Sequence, residues 1–350
     1  MSRLKKHKPN IVVGSIQRIQ IHWGRIMSIP VIDLSGADIN NPESEATKRV
    51  VDELRKAAMH SGFFYVKNHS VPLNMMQRQF ELSKKLLALS DDVKQKYDVR
   101  NYFGFRGFDK LNGQQLDPYG KPDYKEGFYC GKNYPIDHPF AIAKYQNYGP
   151  NQWPEELPEC EEICQEYIAE MYKLANQLMQ LLALTLSLPA HYFDESSKDP
   201  MGTLRMLRYP PTPQEDEETY GVGAHTDWGS VTILAQDQIG GLEVCMPDGT
   251  WVAAPPIEGT FVVNLGDMIP KWTNGLYHSN PHRVKNSFSH GEYRYSIPFF
   301  YEPDYHAVIS PVPGTLKEGE QPKFEPCTVG EHLEEMYSRS YKKAEENAVA

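Results

Sequence analysis

The sequence predicts a mainly β fold with flanking helices, in which a sandwich or jelly roll forms the core. Between residues 204 and 301, short β-rich runs follow one another at close intervals, separated by turn signals such as the Pro-Asp-Gly-Thr of residues 247–250. Many short strands with regular turns are typical of these architectures. Residues 157–188 instead carry apolar side chains at spacings of three and four, which predicts a long amphipathic helix backing the sheet.

The chain divides into five predicted segments. Residues 1–26 contain six basic residues and no acidic one, and they are predicted to be a disordered leader, with a transit peptide as the alternative. Residues 27–155 open with a β-rich run and two helices and continue into a loop region rich in proline, glycine and tyrosine. Residues 156–199 hold the long helix and its connection, residues 200–303 the jelly-roll core, and residues 304–350 a C-terminal tail and helix.

The composition restricts the possible partners and the compartment. A net charge of −10 over 350 residues disfavours broad contact with nucleic acid or an anionic membrane. No run reaches the roughly 20 apolar residues of a membrane span. The five cysteines include no C-x-x-C pair and are expected to be free thiols in a reducing compartment. We therefore expect a cytoplasmic protein with no nucleic-acid or membrane partner.

Three residues have the chemistry of a metal site. His225 and Asp227 stand two apart in a predicted strand, so their side chains are expected on one face, with Thr226 on the other. His282 is the expected third ligand. Two imidazoles and one carboxylate are the ligand set of a non-haem Fe(II) site that keeps open positions for chemistry. The alternative ligands are three other residues of the same region: Asp237, Asp267 and His278.

A second polar pair follows the metal motif. Arg294 and Ser296 stand two apart in a β-rich run, so they are expected to share one strand face. A guanidinium binds a carboxylate through two parallel hydrogen bonds and keeps its charge when buried. A buried guanidinium without an acid partner is costly. The sequence therefore predicts an acid-binding site close to the metal.

The run from Tyr220 to Pro303 contains six motifs in a fixed order: His225-Thr226-Asp227-Trp228-Gly229, Gly240-Gly241-Leu242, Asn264-Leu265-Gly266-Asp267, Trp272-Thr273-Asn274-Gly275, His282-Arg283-Val284 and Arg294-Tyr295-Ser296. With these motifs the chain resembles the iron(II)/2-oxoglutarate-dependent dioxygenases. More narrowly, it is similar to the isopenicillin N synthase-like branch, which holds the plant flavonoid and gibberellin oxygenases and thymine 7-hydroxylase. The resemblance implies a double-stranded β-helix, a cupin-like jelly roll, for residues 200–303 and the N-terminal non-haem dioxygenase region for residues 27–155.

The resemblance also implies roles for individual residues. Fe(II) would be held by three ligands: His225, Asp227 and His282. The cosubstrate 2-oxoglutarate would place its distal carboxylate against three further residues: Arg294, Ser296 and Tyr209. With O2, the reaction would oxidise a small organic metabolite, by hydroxylation as the default outcome, and release succinate and CO2. The candidate substrate contacts are aromatic: Phe300, Trp228 and Phe103.

One position departs from the plant branch of the family. Tyr209 lies in Leu207-Arg208-Tyr209-Pro210, where that branch usually reads Asn-Tyr-Tyr-Pro. The missing asparagine weakens the assignment to the plant branch and leaves the tyrosine in place.

Two other functions are compatible with these motifs. An oxidase of the isopenicillin N synthase type uses the same iron site without 2-oxoglutarate and also carries the Arg-x-Ser pair. A catalytically silent binding protein on the same fold is the third hypothesis. The motifs leave open which small molecule is the substrate and whether the protein is a monomer or a homodimer.

Overall fold

The structure is a computed structural model that describes residues 28–102, 104–145, 147–212, 219–286 and 291–349, with side chains up to residue 340. The predicted leader, residues 1–26, and Phe103 lie outside the described residues. The division of the chain into five segments stays a prediction.

The strands of the described residues are β1 (Val31–Asp33), β2 (Phe63–Lys67), β3 (Gly107–Asp109), β4 (Glu126–Gly131), β5 (Met201–Tyr209), β6 (Tyr220–His225), β7 (Val231–Gln236), β8 (Leu242–Cys245), β9 (Trp251–Ala253), β10 (Phe261–Leu265), β11 (His282–Lys285), β12 (Arg294–Glu302), β13 (Val308–Ile309) and β14 (Cys327–Thr328). The helices are α1 (Glu45–His60), α2 (Leu73–Leu87), α3 (Asp91–Lys96), α4 (Pro139–Ile142), α5 (Cys160–Thr185), α6 (Met268–Trp272) and α7 (Val329–Val349). Short 3-10 turns cover Val99–Asn101, Ala190–Phe193 and Glu195–Ser197.

Two sheets face each other and form the core. The large sheet has the order β1-β2-β10-β7-β12-β5-β4-β3, and the small sheet has the order β6-β11-β8-β9. Only β1 and β2 pair in parallel among these strands; the other pairs are antiparallel. Leu207 and Tyr209 of the large sheet share one hydrophobic cluster with Val222, Val244 and Val284 of the small sheet. The predicted jelly roll, a double-stranded β-helix with helices outside it, is confirmed.

Helix α5 packs against the outer face of the large sheet. Its buried residues Tyr167, Met171 and Leu174 belong to the same hydrophobic cluster as Ile233 of β7 and Phe299 of β12. Neighbouring residues of a strand point to opposite faces, so the alternate residues of β7 and β12 point into the barrel. The helix therefore removes one face of these strands from water and leaves the other face for a site.

Helix α5 is shorter at both ends than the predicted 157–188. Pro158 disfavours helical backbone in the residue before it, and the helix begins at Cys160. At the other end Ser187 adopts a left-handed backbone with a φ of 59°. The N–H groups of Ser187 and Leu188 then donate to the carbonyls of Leu184 and Ala183, both at 3.0 Å, which is the Schellman pattern that closes a helix.

The C-terminal helix α7 packs beside the candidate metal ligands, where Nε2 of His332 lies 2.9 Å from the carbonyl oxygen of Trp228. It starts at a capping box, in which the Glu331 N–H donates to the Thr328 hydroxyl and the Thr328 N–H donates to the Glu331 carboxylate. The spacing of the apolar residues predicts Leu333 and Met336 on the inner side of this helix; Leu333 is buried, whereas Met336 is only half-buried. The aromatic ring of Tyr337 takes the inner position instead, because it is one residue further round the helix. None of the helices in the described ranges has the length and apolar character needed to span a membrane.

Candidate active site

Strands β6 and β11 bring the two predicted histidines together. His225 and His282 are directly paired across the antiparallel ladder, and their ring centroids lie 4.2 Å apart. Each Nε2 lies 3.7 Å from Oδ1 of Asp227. One donor atom from each of the three side chains lies within 4.8 Å of the other two. The structure therefore assembles the predicted triad at one point.

Asp227 does not lie in a strand, contrary to the prediction from its spacing to His225. Strand β6 ends at His225, and the backbone carbonyl of Asp227 instead accepts the N–H of Asp267 at 2.8 Å. The Thr226 hydroxyl donates to the Asp267 carboxylate at 3.0 Å. These bonds turn the chain after His225, and the turn rather than a strand pleat brings the carboxylate next to the imidazoles.

Neighbouring groups orient two of the three candidate ligands. The Asn264 amide donates to Oδ2 of Asp227 at 2.7 Å, which leaves Oδ1 facing the imidazoles. Nδ1 of His225 lies 2.8 Å from the carbonyl of Gly223. A proton on Nδ1 makes that contact a hydrogen bond and leaves Nε2 as a lone-pair donor.

Burial sets the charge of the three groups. Desolvation lowers the pKa of His225 and lowers the pKa of His282 to about 4, so both imidazoles are neutral near pH 7. Burial is the largest single influence on the pKa of Asp227 and raises it, but the two imidazoles and the hydrogen bonds from Thr232 and Asn264 together lower that pKa further, so the net shift is downward. Two neutral nitrogen donors and one carboxylate suit a divalent iron ion that keeps open positions.

The alternative ligands are engaged elsewhere. The Asp267 carboxylate accepts hydrogen bonds from the hydroxyls of Ser279 and Thr226. Asp237 accepts a backbone N–H of strand β12 at 2.5 Å. His278 is exposed. The structure therefore favours His282 over His278 and Asp227 over the other two aspartates as partners in one cluster.

A cavity, which we call the Arg294 cavity, adjoins the triad. Arg294 is directly paired with Tyr209 across β12 and β5, and its guanidinium carbon lies 4.7 Å from the Tyr209 ring centre. The Tyr209 and Ser296 hydroxyls lie 3.2 Å apart. The three residues predicted to bind an acid therefore share one face of the barrel and line this cavity with His225, Asp227 and His282.

The guanidinium of Arg294 is incompletely satisfied. Its Nε donates to the Gly240 carbonyl at 2.6 Å, but Nη1 and Nη2 are buried without a hydrogen-bond partner among the described residues. The side chain as a whole is 1% exposed. Because a buried charge is costly without an opposite charge and hydrogen-bond acceptors, this geometry suits an anionic group bound between Arg294 and the triad.

A second cavity, which we call the Trp228 cavity, adjoins His225 and Asp227 and shares Arg205 and Phe300 with the Arg294 cavity. The predicted aromatic residues Trp228 and Phe300 line it, together with Leu333 and Tyr337 of helix α7. The Tyr337 ring lies 5.0 Å from the Trp228 ring. Phe103 lies outside the described residues, so its contact with a substrate stays a prediction.

Four polar residues of the Trp228 cavity were not singled out from the sequence: Thr203, Arg205, Gln114 and Glu302. A signal for three of them was present. Thr203 and Arg205 precede Tyr209 by even numbers of residues, and Glu302 follows Ser296 by an even number, so period-two alternation places them on the barrel face. Gln114 comes from the loop region, where no periodicity reports the direction of a side chain.

Glu302 is a carboxyl group of this cavity with a strongly raised pKa. Complete burial raises the pKa of Glu302 to about 8, with Arg205 opposing the shift and Asp227 adding to it. Its Oε2 has no hydrogen-bond partner among the described residues. In the metal-free protein, this carboxyl is therefore expected to hold its proton at neutral pH.

Glu302→Gln is expected to flatten the pH dependence of stability in the metal-free protein. The folded-state pKa lies above the ordinary value of 4.5, so the wild type loses free energy of unfolding as pH rises from about 4.5 through about 8, and the amide does not. The difference grows by the order of 1 kcal/mol for each pKa unit of the shift. Urea unfolding at several pH values measures it. Parallel pH profiles for both proteins, or the same flattening in the exposed-site variant Glu292→Gln, would contradict the burial of a protonated Glu302.

Comparison with known families agrees with this geometry. Residues 29–156 match the model described as the N-terminal region of non-haem dioxygenases in morphine synthesis, and residues 200–303 match that of the 2OG-Fe(II) oxygenase superfamily. The chain belongs to the 2OG-Fe(II) oxygenase superfamily.

Relatives of this oxygenase are similar along most of their length. A 2-oxoglutarate-Fe(II) type oxidoreductase of Emericella nidulans is 37% identical over 323 residues, which cover 90% of this chain and 91% of that protein. A homoarginine-6-hydroxylase of Glycine max is 34% identical over 320 residues, covering 87% and 95% of the two chains. The crystal structure of full-length Neurospora crassa T7H with alpha-KG and thymine matches with a TM-score of 0.77 and 26% identity, covering 89% and 96%.

These similarities confirm the predicted enzyme class. The oxygenase is a 2-oxoglutarate-dependent Fe(II) dioxygenase that uses Fe(II), 2-oxoglutarate and O2. Its relatives act on small molecules. The 2-oxoglutarate-independent oxidase, the alternative left open by the motifs, is not favoured.

Proposed function

We propose that this oxygenase hydroxylates a small, partly apolar organic metabolite, with His225, Asp227 and His282 as the iron ligands. The distal carboxylate of 2-oxoglutarate is assigned to Arg294, Ser296 and Tyr209, and the substrate to the Trp228 cavity. The overall balance is one C–H bond converted to C–OH, with 2-oxoglutarate and O2 consumed and succinate and CO2 released.

One observation carries the assignment of the cosubstrate. Arg294 presents two buried nitrogens that have no hydrogen-bond partner among the described residues, in the cavity that the triad also lines. A dicarboxylic oxoacid has one end for the metal and one carboxylate for such a guanidinium, because a bidentate charge-assisted pair satisfies both nitrogens at once. The nearby Ser296 and Tyr209 hydroxyls supply further donors.

The residues divide the work of the site. When bound, iron and 2-oxoglutarate supply the activation of O2, coupled to oxidative decarboxylation of the oxoacid. Arg294 and the triad fix the cosubstrate in the Arg294 cavity. In the Trp228 cavity Phe300 and Trp228 hold the substrate carbon toward the metal, and Leu333 and Tyr337 of α7 exclude water from this cavity.

The relatives support a small-molecule substrate without naming it. Their names specify different molecules, among them homoarginine and clavatol, and a solved T7H structure contains thymine. For this chain the aromatic and aliphatic lining of the Trp228 cavity supports a compact, partly apolar molecule.

We also assign the oxygenase to the cytoplasm, with no nucleic-acid or membrane partner, on the basis of its free cysteines and its net charge of −10.

Anaerobic titration of the Fe(II)-loaded protein with 2-oxoglutarate tests the proposal. The expected result is the weak visible charge-transfer band of the iron–oxoacid chelate, which saturates with one equivalent of bound 2-oxoglutarate. Glutarate, which lacks the keto oxygen, is the matched control and should give no band. If iron binds and 2-oxoglutarate gives no band, the cosubstrate assignment is wrong and Arg294 holds a substrate carboxylate instead.

A further inference from the structure

A buried histidine of helix α7 contacts both the turn after His225 and helix α6. His332 is 3% exposed. Its Nε2 lies 2.9 Å from the carbonyl oxygen of Trp228, and its Nδ1 lies 3.1 Å from Nζ of Lys271 in α6. A carbonyl oxygen only accepts hydrogen bonds and an ammonium group only donates them. Both contacts are therefore hydrogen bonds when the imidazole is neutral, with its proton on Nε2 and its lone pair on Nδ1.

The surroundings of His332 favour this neutral form. Burial is the largest influence and lowers the pKa of His332 to about 4, and the charge of Lys271 acts in the same direction. The Trp228 carbonyl and Glu335 oppose the shift, and Arg339 adds to it. Near pH 7 the imidazole is uncharged, so it accepts from Lys271 while it donates to the Trp228 carbonyl.

The contact completes the support of three successive carbonyl groups. The carbonyls of Asp227 and Gly229 accept backbone N–H groups at the N-terminal end of helix α6, at 2.8 and 3.2 Å. The carbonyl between them, that of Trp228, accepts from His332. Lys271, in the same helix α6, holds His332 from its other side. Helix α6 therefore supports the first and third carbonyls directly and the middle one through His332.

The same contact fixes two parts of the Trp228 cavity relative to each other. The Trp228 side chain lines the cavity, and its backbone directly follows Asp227. Leu333, the residue after His332, and Tyr337 line the cavity from helix α7. The rings of Trp228 and Tyr337 lie 5.0 Å apart. His332 therefore connects the turn and the helix that together form this wall.

The hydrogen bonds of His332 specify more than the filling of space. A leucine has a similar volume and fills the position of the imidazole. It leaves the Trp228 carbonyl without this donor and Lys271 without this acceptor, and an unmade hydrogen bond in a buried place is costly. The peptide group after Trp228 is then no longer held, so the Trp228 ring can change its orientation toward helix α7.

We propose that His332 is a positioning residue of the substrate side of the iron site, which fixes the Trp228 ring against helix α7. Leu333 and Tyr337 close the Trp228 cavity only while α7 is held in this place. The inference rests on the proposed function, because it takes the Trp228 cavity as the place where the substrate binds.

Fluorine-19 NMR of metal-free protein labelled with 5-fluorotryptophan tests this role without a substrate. The chain has five tryptophans, and the variants Trp228→Phe and Trp251→Phe identify two of the resonances. His332→Leu is expected to displace or broaden the Trp228 resonance. The Trp251 resonance should stay in place, because Trp251 lies in β9, the edge strand of the small sheet.

His332→Gln is the conservative variant that should restore the wild-type signal. A glutamine amide donates to the Trp228 carbonyl and accepts from Lys271, so the Trp228 resonance is expected at its wild-type position. His191→Leu removes an exposed histidine and should also leave this resonance in place. Melting temperatures measured in parallel report stability separately, since a merely structural role lowers the melting temperature without moving the Trp228 resonance of the folded protein.

The outcomes separate this inference from the proposed function. Absence of the chelate band in the iron-loaded wild type counts against the proposed function and leaves the NMR comparison unaffected. The positioning role is overturned by any of three results: an unchanged Trp228 resonance in His332→Leu, an equal displacement in His332→Gln and His332→Leu, or loss of Fe(II) binding in His332→Leu. The last result would assign His332 to the support of Asp227 rather than to the wall of the Trp228 cavity.

Discussion

Asp227→Ala is expected to abolish Fe(II) binding and all 2-oxoglutarate turnover. Among the described residues, Oδ1 of Asp227 is the carboxylate oxygen that faces both imidazoles, at 3.7 Å from each Nε2. Without it the site keeps two neutral nitrogens and no negative charge. Changes in the groups that merely orient metal ligands cost 10- to 100-fold in affinity, so removal of the ligand is expected to cost at least about 100-fold. Anaerobic calorimetry with Fe(II) measures the loss directly.

Asp267→Ala is the matched control for this variant. Asp267 is half-buried, and it is hydrogen-bonded to Thr226, next to Asp227, but its carboxylate accepts from hydroxyl groups and not from the imidazoles. Its loss should lower the melting temperature and leave Fe(II) binding detectable. If Asp227→Ala binds Fe(II) as tightly as the wild type, or if Asp267→Ala alone loses it, the assignment of the carboxylate ligand is wrong.

The sequence was sufficient for the residues that meet across strands. His225, His282 and Arg294 occur in dense motifs, and the period of two in β-rich runs is enough to put Arg294 and Ser296 on one face. The jelly roll follows from the same pattern of short strands. The shared face of Arg294 and Ser296 is local in the chain, so spacing reports it, whereas the role of the distant His282 came from the family resemblance of its motif.

Features that depend on contacts between distant segments of the chain could not be predicted from local sequence patterns. The turn that presents Asp227 depends on the Asp267 N–H, and the orientation of its carboxylate depends on the amide of Asn264. Spacing alone predicted a strand at Asp227, and the ladder in fact ends at His225. Gln114 enters the site from an irregular loop, where no pattern of side-chain direction exists.

The polar wall of the Trp228 cavity was missed for a different reason. Arg205 and Glu302 lie on strands whose other inward residues were recognised, so the alternation that placed Arg294 and Ser296 applies to them as well. Charged residues are mostly exposed in folded proteins. This general rule outweighed the period-two alternation that places Arg205 and Glu302 on the inner face of the barrel. Arg205 and Glu302 are each separated by an even number of residues from a predicted site residue on the same strand, and this spacing is the signal that identifies them.

Arg294→Ala is expected to raise the 2-oxoglutarate requirement by roughly 30- to 5000-fold, the equivalent of about 2–5 kcal/mol for truncating one partner of a buried charge pair. Two of its nitrogens have no acceptor among the described residues, so a bound carboxylate makes its main polar contacts there. Arg294→Lys keeps the positive charge but cannot form two parallel hydrogen bonds to a carboxylate, so its loss of 2-oxoglutarate affinity is expected to be intermediate. Anaerobic titration of the chelate band gives the affinity without turnover.

A matched oxoacid makes the assignment of Arg294 specific. 2-Oxopentanoate has the same chain length and the same chelating end as 2-oxoglutarate, with a methyl group in place of the distal carboxylate. The wild type should bind it more weakly than 2-oxoglutarate by about the factor that Arg294→Ala loses, and the variant should bind both oxoacids with similar affinity. Fe(II) binding should be unchanged in every Arg294 variant. If Arg294→Ala still prefers 2-oxoglutarate as strongly as the wild type does, the distal carboxylate is held elsewhere, and the unpaired guanidinium must serve a carboxylate of the substrate.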